Sequence, residues 1–133
     1  TVQTTKRKIA ADDFFTGLFA TALEEGELIT AISFPVPSKA AYIKFKQPAS
    51  RFALIGVFVS QTAKGVRVAV TGGGNGIFPH EGVEDALSRS FTPASAGLKI
   101  SADGLSSDLH ASAEYRAQLI SVMAQRAVAK ALG

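Results

Sequence analysis

The middle of the chain combines alternating apolar and polar positions with runs of β-branched residues, and both patterns are typical of β-strands. Four segments between residues 27 and 70 are rich in β-branched and apolar residues, and most of them are bounded by proline, glycine or polar turn residues. The last two segments are separated by only a few residues, 62–65, so they predict a β-hairpin. The four predicted strands are Glu27–Pro35, Tyr42–Lys46, Ala53–Ser60 and Val66–Val70. In the second of them, alternation places Tyr42, Lys44 and Lys46 on one face.

The last part of the chain changes from alternation to helical spacing. From Ser112 onward the apolar residues predict a helix of about eighteen residues. Its predicted sheet-facing residues are Tyr115, Leu119, Val122 and Met123, and its predicted outward residues are Arg116, Gln118, Gln125 and Lys130. Thr92-Pro93 is typical of the start of a short helix, and residues 97–107 are expected to form a loop.

These elements predict an α+β fold with an antiparallel sheet of three or four strands. Helices should cover one face of the sheet, and the longest helix should be C-terminal. At 133 residues the chain is expected to form a single domain, residues 1–133, with one hydrophobic core.

An aromatic segment lies near the N-terminus. Asp12 or Asp13 is expected to cap a short helix, which would place Phe14, Phe15, Leu18 and Phe19 on one helical face. We expect this cluster to pack in the core. The alternative is that it forms a contact surface for another domain.

Composition excludes several classes of function. A net charge of +3 without a clustered basic face argues against nucleic-acid binding. The absence of cysteine means that this chain cannot supply thiolates for an iron–sulfur cluster, a zinc knuckle or a disulfide. No apolar run reaches the length of a membrane span, and we expect a cytoplasmic location.

Residues that could carry chemistry are few. The acidic cluster Glu24, Glu25 and Glu27 is expected to be a solvated turn. The glycines of residues 72–76 could approach a phosphate, but no Walker or dinucleotide pattern follows, so we favour a role as positive-φ residues at a strand exit. His80 and His110 have no carboxylate at a spacing typical of a metal site or triad. We therefore predict no catalytic and no metal-binding residue.

A series of short motifs in a shared order resembles a known family. These are Asp13–Gly17, Thr21–Ile29, Phe34-Pro35, Tyr42–Gln47, Arg51–Val57, Thr71–Gly74, Tyr115-Arg116 and Arg126-Ala127. Together they resemble the C-terminal domain of the FAD-binding medium subunit in the carbon monoxide dehydrogenase and xanthine dehydrogenase family, the molybdenum hydroxylases. The resemblance covers nearly the whole chain.

The resemblance implies a supporting role in flavin binding. Lys46 matches a family lysine that contacts FAD, and Ile29 matches a second flavin-contacting position. We expect a fragment of a longer subunit whose preceding domain holds most of the FAD. The implied partners are a large subunit with a molybdenum cofactor and a small subunit with 2Fe–2S clusters, which pass electrons to FAD and then to an acceptor.

Two further expectations qualify this hypothesis. The loop after Lys46 contains Pro48 and lacks the acidic run of the xanthine dehydrogenase branch, which favours the carbon monoxide dehydrogenase side and leaves the acceptor open. The alternative function is a cofactor-free protein-binding or assembly module of the same fold. A small stand-alone enzyme is disfavoured because no nucleophile–base pair is present.

Overall fold

The structure, a computed structural model, describes all 133 residues and shows two compact units, Thr1–Val36 and Pro37–Gly133. Each unit has its own cluster of buried apolar residues, so the expectation of one hydrophobic core was wrong. The reason is local strand pairing, because the first unit forms its own small sheets and buries its own few apolar side chains.

The first unit, called the N-terminal unit, is built from short strands. β1 (Val2–Thr4) lies between β2 (Lys8–Ile9) and β5 (Ile29–Ile32) in an antiparallel three-stranded sheet. α1 (Ala11–Phe14) leads into a hairpin of β3 (Phe15–Gly17) and β4 (Ala20–Thr21). Its buried apolar residues are Val2, Ile9 and Phe14.

The predicted aromatic helical face is not present. α1 ends at Phe14, and its N-cap is Ala10, which has no side-chain cap hydrogen bond. Phe15 begins a strand, while Leu18 and Phe19 lie in the hairpin turn and are exposed. The prediction failed because α1 has only four residues, about one turn, and ends before the other three side chains. Aromatic residues are also common in β-strands, and here the chain continues as a hairpin.

The second unit, called the C-terminal unit, contains an antiparallel sheet of four strands. Its order is β6-β7-β8-β9, formed by β6 (Lys39–Lys46), β7 (Ala53–Thr62), β8 (Gly65–Thr71) and β9 (Phe78–Pro79). The predicted hairpin is confirmed as β7–β8. The fourth strand, however, is β9 and not the segment around β5, which belongs to the sheet of the N-terminal unit.

Helices cover one face of this sheet. α2 (Glu81–Arg89) contacts β8, and α4 (Ala113–Leu132) contacts β6 and β7, with α3 (Pro93–Ala96) between the two helices. α4 has 20 residues and begins after Ser112, whose hydroxyl accepts a hydrogen bond from the Tyr115 amide. The predicted α+β class, antiparallel sheet and long C-terminal helix are therefore confirmed. None of the helices is both long and apolar enough to span a membrane.

Candidate functional site

The sheet of the C-terminal unit has an open face on the side away from its helices. Along β6, Tyr42, Lys44 and Lys46 are exposed, whereas the alternate residues are more buried, as the alternation predicts. On the neighbouring strand, Phe58 pairs with Tyr42 and is also exposed. The open face thus combines two aromatic rings with two lysine side chains.

A notch lies in the middle of this face, at Gly56. Gly56 pairs with Lys44 on one side and with Thr71 on the other. A Cβ added to Gly56 would collide with the Tyr42 Oη and the Thr71 Oγ1, so only glycine leaves room for both side chains. The Thr71 Oγ1 is buried and has no hydrogen-bond partner. A buried hydroxyl without a partner is destabilising, and it is therefore a feature that a bound ligand could satisfy.

Lys46 is the last residue of β6, and the loop that follows it is closed by its own hydrogen bonds. The Gln47 amide donates to the Phe52 carbonyl at 2.9 Å, and the Arg51 amide donates to the Gln47 carbonyl at 2.9 Å. The Gln47 side-chain oxygen also accepts from the Ala49 amide. These bonds fix the loop geometry, so Lys46 projects from a well-defined strand end.

Arg116 does not face outward as expected. It is buried with 4% of its surface exposed, and its guanidinium joins three segments of the chain. Nη1 donates to the carbonyls of Leu54 at 3.1 Å and Gly72 at 2.6 Å. Nη2 donates to both carboxylate oxygens of Asp108 at 2.8 Å each. Helical spacing could have indicated this burial, since position 116 lies on the same face of α4 as the buried Ile120 and Met123.

Asp108 is the anion that balances this buried cation. Its Oδ1 accepts hydrogen bonds from the amides of His110 and Ala111 as well as from Arg116. The amide of His110, followed by that of Ala111 and by the guanidinium, holds the pKa of the Asp108 carboxyl below its usual value. The carboxylate therefore stays charged at neutral pH and keeps the Arg116 fork oriented.

The backbone of the glycine segment, residues 72–76, fits a conformational role better than a phosphate loop. Gly72 has a φ of +80°, as predicted for a strand exit, whereas Gly73 and Gly74 do not have positive φ. A neighbouring cavity of about 290 Å³ is lined by residues 74–78 and 103–105. Its only charged lining residue is Asp103, and a carboxylate repels an anionic ligand.

His80 makes a structural contact at the start of α2. Its Nδ1 accepts a hydrogen bond from the Val83 amide at 3.3 Å, so the side chain caps the N-terminus of α2. The structure holds no group of three or more carboxylate or histidine side chains that could bind a metal ion.

The acidic turn of the N-terminal unit is partly buried, contrary to expectation. Glu27 accepts hydrogen bonds from the Thr4 hydroxyl at 2.6 Å, from Arg7 at 3.1 and 3.2 Å, and from the Glu24 amide at 2.9 Å. These bonds lower the pKa of Glu27 to about 2, and the hydrogen bond from Arg7 makes the largest contribution. A carboxylate so fully paired is a structural anchor for the turn that precedes β5.

Ile29 is the first residue of β5 and pairs with Thr4 of β1. Its side chain is 43% exposed, so it is not the strand-core residue that its pattern alone predicts. Ile29 belongs to the N-terminal unit and Lys46 to the C-terminal unit. The two predicted flavin contacts thus come from different units, and each is accessible.

Comparison with known proteins agrees with the resemblance found in the sequence. No protein-family model matches the chain. The carbon monoxide dehydrogenase medium chain of Afipia carboxidovorans is 32% identical over 138 aligned positions, which cover 94% of this chain and 48% of that protein. The nicotine 6-hydroxylase medium subunit of Paenarthrobacter nicotinovorans is 34% identical over 137 positions, which cover 95% of this chain and 48% of the relative.

The fold agrees with this relationship. A solved carbon monoxide dehydrogenase from Oligotropha carboxidovorans superposes with a TM-score of 0.74 at 29% identity, over 92% of this chain and 48% of that chain. The chain therefore spans about half the length of the relatives that it matches. Over that half, the chain is similar to the medium subunits of carbon monoxide dehydrogenase and of nicotine 6-hydroxylase.

Proposed function

We propose that this chain is the part of a medium subunit that supports one side of FAD, within a molybdenum hydroxylase. It would not be catalytic alone, since most of the FAD would be held by a preceding domain. The observation that carries this proposal is the open face of the C-terminal unit, where exposed aromatic rings, exposed lysines and a buried hydroxyl without a partner lie on one sheet surface.

The residues on this face fit a flavin ring. An isoalloxazine is flat and partly apolar, with carbonyl and nitrogen acceptors along one edge, so it suits aromatic surfaces bordered by donors. Tyr42 and Phe58 offer the surface, and the Thr71 hydroxyl and the Lys46 ammonium offer donors. Ile29, the second flavin contact that the resemblance implies, is exposed in the N-terminal unit, which is a separate compact unit.

Lys46 would supply the electrostatic part of this role. Bound FAD accepts electrons and passes them to an acceptor, and the reduced ring gains negative charge. A lysine ammonium near the ring stabilises that charge and raises the reduction potential. Lys46 suits this task because it is exposed at a strand end that its loop holds in place.

The remaining redox centres would lie on partner subunits. The chain has no cysteine, so the 2Fe–2S clusters would be carried by a small iron–sulfur subunit. The molybdenum cofactor would be carried by a large subunit. A structural neighbour, the carbon monoxide dehydrogenase from Hydrogenophaga pseudoflava that lacks the Mo-pyranopterin moiety, is an enzyme in which that cofactor is expected. A cytoplasmic location for the complex stays a prediction.

The test is to express the complete reading frame with its partner subunits and to compare Lys46→Ala with Lys64→Ala. Lys64 is a matched control because it is an exposed lysine in the β7–β8 turn, at the other end of the hairpin from the loop after Lys46. We expect Lys46→Ala to weaken FAD retention or lower the flavin reduction potential, and Lys64→Ala to leave both unchanged. Equal behaviour of the two variants would contradict the role of Lys46.

A second function has specific support. The β3–β4 hairpin exposes Phe15, Leu18 and Phe19, an apolar surface typical of a protein contact. A cofactor-free binding or assembly module would use this surface in the same fold. The two functions are separated by the visible spectrum of the complete purified protein, which is yellow if FAD is bound and colourless if it is not.

A further inference from the structure

The buried Arg116 bonds to a point on β7 where strand pairing is irregular. Phe45 of β6 pairs with Ile55, but the next residue, Lys46, pairs with Ala53. Leu54 is therefore the extra residue of a β-bulge. Its carbonyl accepts the hydrogen bond from the Arg116 Nη1 at 3.1 Å.

The same carbonyl is enclosed from a second side. A Cβ added to Gly72 would collide with the Leu54 oxygen and lie close to that of Ala53, so the Gly72 backbone packs directly against the bulge. Arg116 Nη1 also donates to the Gly72 carbonyl at 2.6 Å. One guanidinium nitrogen of α4 thus holds the bulge of β7 and the exit of β8 together.

A bulge bends its strand and changes the direction of the residues beside it. The residue beside this bulge on the partner strand is Lys46, whose pairing with Ala53 exists only because Leu54 is the extra residue. The loop after Lys46 then closes through the bond from the Gln47 amide to the Phe52 carbonyl. The position of the lysine therefore depends on the bulge that Arg116 holds.

We propose that Arg116 is a positioning residue for Lys46, acting through the Leu54 carbonyl, and this inference rests on the proposed flavin role of Lys46. Asp108 orients the guanidinium by its two 2.8 Å bonds to Nη2. A lysine at position 116 would keep the positive charge but could not reproduce the planar fork that joins the carbonyls to the carboxylate.

The test uses the complete flavoprotein with four variants: Arg116→Lys, Lys46→Ala, the double variant, and Ile120→Val. Ile120 is the matched control because it is fully buried on the same helix, one turn after Arg116, and does not contact the bulge through a polar group. We expect Arg116→Lys to shift the flavin reduction potential in the same direction as Lys46→Ala. The double variant should shift no further than Lys46→Ala alone, because Arg116 acts through the lysine.

Two results would overturn the inference. One is an Arg116→Lys protein with the wild-type potential beside a shifted Lys46→Ala protein. The other is a double variant whose shift is the sum of the two single shifts, which would mean that Arg116 acts independently of Lys46. If Arg116→Lys fails to accumulate, Asp108→Asn takes its place, since it loosens the fork and leaves both carbonyl bonds possible. A smaller shift in the same direction is then expected.

A separate measurement keeps this inference apart from the proposed function. If Lys46→Ala leaves the flavin unchanged, the proposed role of Lys46 fails, and hydrogen exchange of the Gln47 amide tests Arg116 instead. We expect Arg116→Lys to accelerate that exchange by about tenfold or more, because local opening of the bulge releases the bond to Phe52. Exchange no faster than in Ile120→Val would show that Arg116 does not position this segment.

Discussion

Gly72 offers the sharpest test of how the bulge is packed, because two separate effects act on a side chain there. Its φ of +80° lies in the left-handed region, which strains alanine by about 1–2 kcal/mol. An added Cβ would also collide with the Leu54 carbonyl oxygen, and overpacking of this kind costs about 1–3 kcal/mol. Allowing for the lower entropy of unfolded alanine, we expect Gly72→Ala to lower the free energy of unfolding by about 3 kcal/mol.

Gly104 provides a control that isolates the second effect. Its φ of +76° is nearly the same, but a Cβ added there would meet nothing within 4 Å. Gly104→Ala should therefore lower the free energy of unfolding by only about 1 kcal/mol, from backbone strain alone. Both free energies of unfolding would be measured by urea unfolding followed by circular dichroism. If the two variants agreed within about 0.5 kcal/mol, the proposed packing of Gly72 against the bulge would be refuted.

Three further variants test other parts of the structure. Phe19 has a φ of +55°, so Phe19→Gly should be about 1 kcal/mol more stable to urea than Phe19→Ala, which shares the backbone strain; equal stability would contradict this. The pKa of Glu27 is lowered to about 2 from the usual 4.5, so its carboxylate contributes stability that is complete above about pH 4.5 and is lost as pH falls toward 2. Glu27→Gln should remove that acid dependence, and an unchanged slope of stability against pH would argue against it. Leu87 is fully buried against the sheet, so Leu87→Ala should lower the free energy of unfolding by about 2–5 kcal/mol; a loss below about 1 kcal/mol would contradict its place in the core.

The flavin role and the protein-contact role make different demands on the two units. The open sheet face belongs to the C-terminal unit, and the exposed aromatic hairpin belongs to the N-terminal unit. Substitutions at Lys46 and at Phe19 should therefore separate the two roles. A change in the flavin potential is expected from the first and not from the second.

The sequence by itself determined the elements whose patterns are local and long. Alternation with period two identified β6, runs of β-branched and apolar residues identified β7 and β8, and helical spacing identified α4. These signals are local because burial of a face or of a whole strand acts on neighbouring residues. The positive φ of Gly72 was also predictable, since glycine is the residue that adopts it without strain. The order of the short motifs pointed to the same kind of medium subunit that the comparisons found to be similar.

Tertiary structure decided what depends on distant partners. Arginine is usually found on helix surfaces, and Arg116 is buried because carbonyls 62 and 44 residues away accept hydrogen bonds from its Nη1 and Asp108 pairs with its Nη2, although its Nε has no partner. Glu27 is buried for the same reason, since Thr4 and Arg7 lie about 20 residues before it in the chain and compensate its charge. Helical spacing places position 116 on a buried stripe, but no local pattern shows which groups pair with a buried charge, because that depends on what the fold brings to it.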